Sequence, residues 1–147
     1  MEYTKRRNLN RGYMKLEAWQ RGMDLFALVF KCTAKVPDYK LRAQIRDAAQ
    51  SVSANIAEGY CRRSLSEYIQ YLYIAKGSLG ECLTRSLGLA RADSVLSDDA
   101  EKIDSLHYEV ENILLGLIRS LEQKRTTDSW EDALPPALPK SFPSPSH

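Results

Sequence analysis

Apolar residues recur at steps of three and four along four long segments of the chain, and no segment alternates apolar and polar residues as a strand does. The segments cover residues 16–35, 39–61, 65–92 and 98–125. The connections between them are short, so neighbouring helices should run antiparallel. The sequence therefore predicts an all-α protein, an antiparallel up-down four-helix bundle.

The apolar positions of each segment identify a predicted core face. In the first segment the apolar face contains Leu16, Trp19, Met23, Phe26 and Phe30, and it is widened by Leu25 and Val29. The third is marked by Leu65, Ile69, Leu72, Leu79, Leu83 and Leu87. The fourth has the clearest heptad-like pattern, with Ile103, Leu106, Val110, Ile113, Leu117 and Leu121. We expect these faces to meet in a single core.

Local signals set the helix ends. Pro37 prevents the first helix from continuing. Ser64 followed by Glu67 forms a capping box and predicts the start of the third helix. Ser97 is the predicted cap of the fourth helix.

Composition divides the chain into three parts. Residues 1–13 form a basic arm, residues 14–125 the bundle, and residues 126–147 a tail with five of the six prolines. Proline without periodicity is typical of a flexible extension. Trp130 and Phe142 are candidate short-motif anchors within the tail.

The segment Gln44–Gly59 carries the most specific pattern. Small apolar residues line one face, with Asn55 and Glu58 beside them and Gly59 where the helix could end. Together with Ser66-Glu67-Tyr68 and residues 74–81, this segment resembles a known family. The family comprises small four-helix-bundle proteins encoded in 23S ribosomal RNA intervening sequences, and the accessory proteins of diversity-generating retroelements are its distant relatives.

The resemblance covers about residues 14–124 and implies more than the fold. It implies assembly into rings of five subunits, a homopentamer. It also implies pairing with structured RNA, or with a reverse transcriptase and its RNA. These remain expectations from resemblance, because spacing in one sequence does not give a subunit number.

Composition indicates a soluble globular protein of the cytoplasm. Charged residues make up 27% of the chain and hydrophobic residues 44%. No apolar run approaches the roughly 20 residues needed to cross a membrane. Cys32, Cys61 and Cys82 are far apart and odd in number, which favours reduced thiols over disulfides or a zinc site.

No catalytic constellation is visible in the sequence. His107 lacks partner residues at catalytic or metal-ligand spacing, so we interpret it as a histidine at the edge of the core. Glu58 and Glu81 are either a paired acid and base or members of a buried polar cluster satisfied by Arg46 or Asn55, and the second interpretation is favoured. We therefore expect no enzymatic activity, no cofactor and no metal, with Asn55, Glu58, Gly59 and Glu81 in structural roles.

Charge distribution suggests a nucleic-acid partner, RNA or DNA. The net charge is only +2, but residues 1–15 contain five cations and one acid. Arginine suits phosphate, and tyrosines near basic clusters can stack on unpaired bases. The predicted phosphate contacts are Arg6, Arg7, Arg42, Arg62 and Arg63, with Tyr60 as a stacking candidate that could instead close the core. Neutralising Arg62 and Arg63 is expected to weaken binding without affecting folding.

A structural adaptor that binds a protein partner without nucleic acid is the alternative function. Small residues lie on helix faces that the core does not require, namely Ala27, Ala34, Gly77, Gly80, Gly88 and Gly116. Glycine inside a helix costs about 1 kcal/mol relative to alanine. These positions predict close helix approach, within one subunit or between subunits.

Overall fold

The computed structural model describes residues 12–127, which form four antiparallel α-helices. They are α1 (Glu17–Cys32), α2 (Tyr39–Tyr60), α3 (Leu65–Ala92) and α4 (Ala100–Thr127), with short 3-10 turns at Gly12–Lys15, Thr33–Lys35 and Ser94–Leu96. Each helix packs against its neighbours in the order α1–α2–α3–α4–α1. The predicted all-α four-helix bundle is confirmed.

The boundary signals of the first and third helices match the structure. Pro37 follows the end of the first helical segment, and the Ser64 hydroxyl accepts a hydrogen bond of 3.1 Å from the backbone N–H of Glu67. The fourth helix begins at Ala100, three residues after Ser97. Asp38, which accepts a bond of 3.0 Å from the N–H of Leu41, caps α2.

The predicted core face of α1 is right only in part. Trp19, Leu25 and Val29 are buried as predicted, but Met23 is 37% exposed and Phe30 is 49% exposed. The buried face also includes three small residues, namely Ala18, Gly22 and Cys32. Small residues let α2 approach closely: a Cβ at Gly22 would lie 2.4 Å from the Ser53 hydroxyl oxygen. The bulky Met23 and Phe30 are therefore left on the surface.

Glycines on α3 and α4 have a different environment. A Cβ at Gly77, Gly80, Gly88 or Gly116 would meet no heavy atom of the described chain within 4 Å. These glycines therefore do not allow another helix of residues 12–127 to approach closely, so the first of the two predicted explanations, close helix approach within one subunit, is wrong. Leu87, also predicted to be in the core, is 40% exposed on the same side of α3.

The upper end of the bundle is where α1 ends and α4 begins, and an ion pair joins the two helices there. Lys35 Nζ lies 2.6 Å from Asp99 Oδ2, and Asp99 immediately precedes α4. The Lys35 ammonium lowers the pKa of the Asp99 carboxyl below its usual value. At the opposite, lower end, α2 ends, α3 begins and α4 ends.

Candidate nucleic-acid interface

Arg62 follows α2 at the lower end of the bundle and is held by two partners. Its Nη2 donates to Glu58 Oε2 and to the Tyr71 hydroxyl, each at 2.7 Å. The guanidinium carbon also lies 4.9 Å from the centre of the Tyr71 ring. Its Nε is buried without a hydrogen-bond partner. Arg62 therefore joins α2 to α3, and its neutralisation should affect folding as well as binding, contrary to the prediction from sequence.

The lower end gathers further cations, which we call the basic end. They are Lys15, Arg62, Arg63, Lys124 and Arg125, and the acids Glu17, Glu58, Glu67 and Glu122 lie among them. These five cations and four acids give the described part of the basic end a net charge of only +1. The larger part of any positive potential here must come from the arm, whose cations Lys5, Arg6, Arg7 and Arg11 oppose a single Glu2.

Arg6 and Arg7 lie outside the described residues, but the point where the arm joins the bundle is fixed. The Tyr13 ring lies 5.7 Å from the Trp19 ring and 6.3 Å from the Tyr60 ring. A Cβ at Gly12 would lie 2.0 Å from the Tyr60 hydroxyl, so a larger residue there would require the Tyr60 ring to move. The arm therefore departs from the basic end, beside the end of α2.

Tyr60 belongs to a chain of aromatic contacts and is half-buried. Besides Tyr13, its ring contacts Tyr68 edge-on at 5.7 Å between ring centres. Such edge contacts are favourable for aromatic pairs. This position agrees with the core-closing interpretation of Tyr60 rather than with base stacking.

Arg42 lies at the other end of the bundle from Arg62. Its Nη1 donates to the Val36 carbonyl at 2.5 Å. Its neighbour Arg46 donates to the Phe30 carbonyl and to the Thr33 hydroxyl, each at 2.9 Å, and stands 3.7 Å above the Phe30 ring. Both arginines thus satisfy oxygen acceptors where α1 ends. Among the described residues, Arg42 therefore does not share a surface with Arg62 and Arg63.

Glu58 and Glu81 do not form the buried cluster that the sequence predicts. Both side chains are 51% exposed, and each pairs with an arginine four residues further along the chain. Glu58 pairs with Arg62, and Glu81 pairs with Arg85 at 2.9 Å. Neither arrangement provides a paired acid and base. The spacing of four residues was the signal in the sequence that could have identified both pairs.

The other two predicted structural residues act locally. The Asn55 amide donates to the Ser51 carbonyl of its own helix at 2.8 Å. Gly59 is buried within α2, where a Cβ would lie 2.7 Å from the Tyr71 Cβ and 3.1 Å from the Tyr68 carbonyl. The role of Gly59 is therefore close contact between α2 and α3, rather than the ending of the helix.

The ionisable and nucleophilic side chains of the bundle serve packing. His107 is buried, not at the edge of the core, and its Nε2 lies 3.0 Å from the Leu79 carbonyl oxygen, so Nε2–H is the donor. Burial raises the pKa of the Cys82 thiol to about 11 and also raises the pKa of Cys32. Such thiols stay protonated and are poor nucleophiles.

Two kinds of feature are absent from residues 12–127. No three or more histidine, cysteine or acidic side chains lie together as potential metal ligands in this range. None of the helices in the same range combines the length and the apolar character needed to span a bilayer.

The fold and the chemistry described above define a small helical-bundle protein whose polar side chains mainly join helices. The sequence pattern of the family described as "23S rRNA-intervening sequence protein" matches residues 14–116. The chain belongs to this family.

A solved structure shares the fold. It is a protein of unknown function from the S23 ribosomal protein family of Bacteroides thetaiotaomicron, 20% identical in sequence, with a TM-score of 0.63. The match covers 69% of this chain and 97% of that chain. None of the curated proteins matches the chain.

Proposed function

We propose that this protein is a non-enzymatic, oligomeric nucleic-acid-binding protein whose ligand is RNA. The observation that carries this proposal is the basic end, where the arm joins the bundle beside Arg62 and Arg63. Cations brought together on one side attract phosphate with little sequence selectivity. The family's name refers to 23S ribosomal RNA, which favours RNA over DNA.

The basic end combines two groups of cations. Arg62 is held by Glu58 and Tyr71, so its guanidinium is oriented in advance. The arm adds Lys5, Arg6, Arg7 and Arg11. We therefore assign the larger share of phosphate contact to Arg6 and Arg7, and the positioning of the RNA to Arg62 and Arg63.

The Arg6→Gln/Arg7→Gln protein is expected to bind RNA about tenfold more weakly than wild type at low salt. Two lost phosphate contacts should also reduce the slope of log affinity against log salt by about 1.5 to 2. Fluorescence anisotropy with a labelled hairpin and a labelled single strand, from about 25 to 200 mM salt, measures both quantities.

The matched control removes two cations from the upper end, where α2 begins and α3 ends. The Lys40→Gln/Arg91→Gln protein carries the same net charge as the arm variant and should retain nearly wild-type affinity. Equal weakening in both variants would show that only total charge matters. Absence of binding by the wild-type protein at low salt would refute the nucleic-acid function.

Assembly is the second part of the proposal. By the resemblance described above, we expect a homopentamer, and the exposed Met23, Phe30, Tyr73 and Ile74 support burial of further surface. Light scattering coupled to gel filtration should give about five times the chain mass of 16.7 kDa. A single species at the chain mass at micromolar concentration would contradict the assembly, without bearing on RNA binding by the basic end.

The same exposed apolar side chains favour an adaptor as the second candidate function. In that case the bundle would bind a protein, and a reverse transcriptase with its RNA is the partner that the resemblance suggests. Affinity purification with and without nuclease separates the two functions. A partner that is lost after nuclease treatment is held through RNA, and one that is retained contacts the protein directly.

A further inference from the structure

The outward side of α3 is a long surface almost without charge, which we call the α3 outer face. Its members all point away from the core and are exposed: Gln70, Tyr73, Ile74, Gly77, Gly80, Glu81, Thr84, Leu87 and Gly88. Tyr73, Ile74 and Leu87 are each at least 40% exposed. Gly77, Gly80 and Gly88 form shallow depressions between them, since no described atom covers them.

A cleft of about 230 Å³ lies at the upper end of the α3 outer face, between α2 and α3. Leu41, Ile45, Leu89 and Ala92 supply its apolar walls, and Gly88 opens it toward the face. Arg85 also lines the cleft, but its guanidinium donates to Gln44 at 3.0 Å and to Glu81. The polar groups therefore satisfy one another, and the cleft suits one apolar side chain.

The tail of the chain begins at the lower end of the same face. The Arg125 guanidinium lies 3.5 Å from the Ser66 hydroxyl, which joins the end of α4 to the start of α3. The residues beyond Thr127 include five prolines, and the stretch 133–139 is uncharged. The tail thus leaves the bundle beside an apolar face of the same chain, first as an acidic stretch over residues 128–132 and then as an apolar, proline-rich one.

Chain length decides which aromatic side chain of the tail can reach the cleft. Gly88 lies 22 residues beyond Ser66, about 33 Å along α3 at 1.5 Å per residue. Phe142 is 15 residues beyond Thr127, and an extended chain of that length spans at most about 50 Å. Trp130, three residues beyond Thr127, reaches only about 10 Å.

The proline content of the tail affects its end-to-end distance. A flexible chain of 15 residues has an average end-to-end distance of about 21 Å, shorter than the path along the face. Proline-rich segments are extended before binding and dock on apolar surfaces with aromatic side chains, such as Tyr73 here. Lys140 near the end of the tail and Glu81 on the face also have opposite charges.

We propose that the tail lies along the α3 outer face of its own chain and inserts Phe142 into the cleft between α2 and α3. The docked tail would cover Leu87 and the open glycines. It would leave the exposed Met23 and Phe30 of α1 available for subunit contacts.

Cross-linking in the full-length chain tests the proposal. Thr84→Cys lies on the face one turn before Gly88, and Ser141→Cys precedes Phe142, so a short bismaleimide should join the two thiols within one chain. Cys61→Ser removes the exposed native thiol from every variant. The linked chain is recognised on a denaturing gel by faster migration at monomer mass.

The control pairs Ser141→Cys with Gly116→Cys on α4. Gly116 also has open space at its Cβ and lies only 11 residues before Thr127, about 16 Å along α4. An undirected tail should therefore react with position 116 at least as readily as with position 84. We expect the link to position 84 to form at least about tenfold faster.

A second comparison tests whether the Phe142 ring holds the tail in the cleft. Adding Phe142→Ala to the Thr84→Cys/Ser141→Cys protein should slow the link about tenfold, because burial of the ring is lost, whereas Trp130→Ala should not change it. Equal linking to positions 84 and 116, or no effect of Phe142→Ala, overturns the proposal. Links between two chains also overturn it, since they assign the face to a second copy.

Discussion

Ile56→Asp is expected to leave the protein largely unfolded at neutral pH. Ile56 lies in the middle of the core face of α2 and has no exposed surface. An aspartate there would bury a carboxylate without a cation or hydrogen-bond donor, at a cost of at least about 4 kcal/mol. Because a domain of this size is typically stable by about 5–15 kcal/mol, most or all of that stability should be lost. Urea unfolding followed by far-ultraviolet circular dichroism measures the change.

Two neighbouring substitutions serve as controls for Ile56→Asp. Ala54→Asp introduces the same charge two residues away on the exposed side of α2 and should change stability by less than about 0.5 kcal/mol. Ile56→Val removes one buried methyl group and should cost about 1 kcal/mol. A wild-type urea midpoint for Ile56→Asp would mean that this face of α2 does not pack against the core.

Gly59→Val is expected to destabilise the protein by about 2–3 kcal/mol, while Gly80→Val should change stability by no more than about 0.5 kcal/mol. A Cβ at Gly59 would lie 2.7 Å from the Tyr71 Cβ, so α2 and α3 would have to separate. A Cβ at Gly80 meets nothing within 4 Å. The same substitution thus tests two kinds of helical glycine, and thermal or urea unfolding gives both values.

The stability of the Gly80→Val protein is also informative about assembly. If Gly80 lies against another subunit or the tail, a valine there should weaken that contact without lowering the stability of the isolated bundle. A large loss of stability for Gly80→Val, comparable with that for Gly59→Val, would contradict the open environment described for α3.

Helix number, order and type could be predicted from the sequence because they depend on local signals. Pro37, the Ser64 cap and the periodic stripes act within a few residues of their own position, and each is visible in one chain. The buried face of α1 could be predicted only in part, since Trp19, Leu25 and Val29 are buried while Met23 and Phe30 are exposed. Apolar residues lie on two sides of that helix, and the smaller side is buried because Ala18 and Gly22 allow neighbouring helices to approach.

The candidate site was less predictable than the fold, because its side chains find partners on other segments. Arg62 reaches Tyr71 across the turn between α2 and α3, and Arg46 reaches the Phe30 carbonyl from α2 to α1. Sequence spacing identifies cations, but it does not show which of them are engaged. The separation of Arg42 from Arg62 by the length of the bundle required the three-dimensional arrangement.

The position of the two chain ends gives the molecule a direction. The arm joins the bundle beside Tyr60, and α4 ends beside Ser66, so both extensions emerge from one pole. Subunits arranged side by side in one orientation would carry every arm on a single rim. Such an assembly has a front and a back, and a polyanion would approach it from the front only.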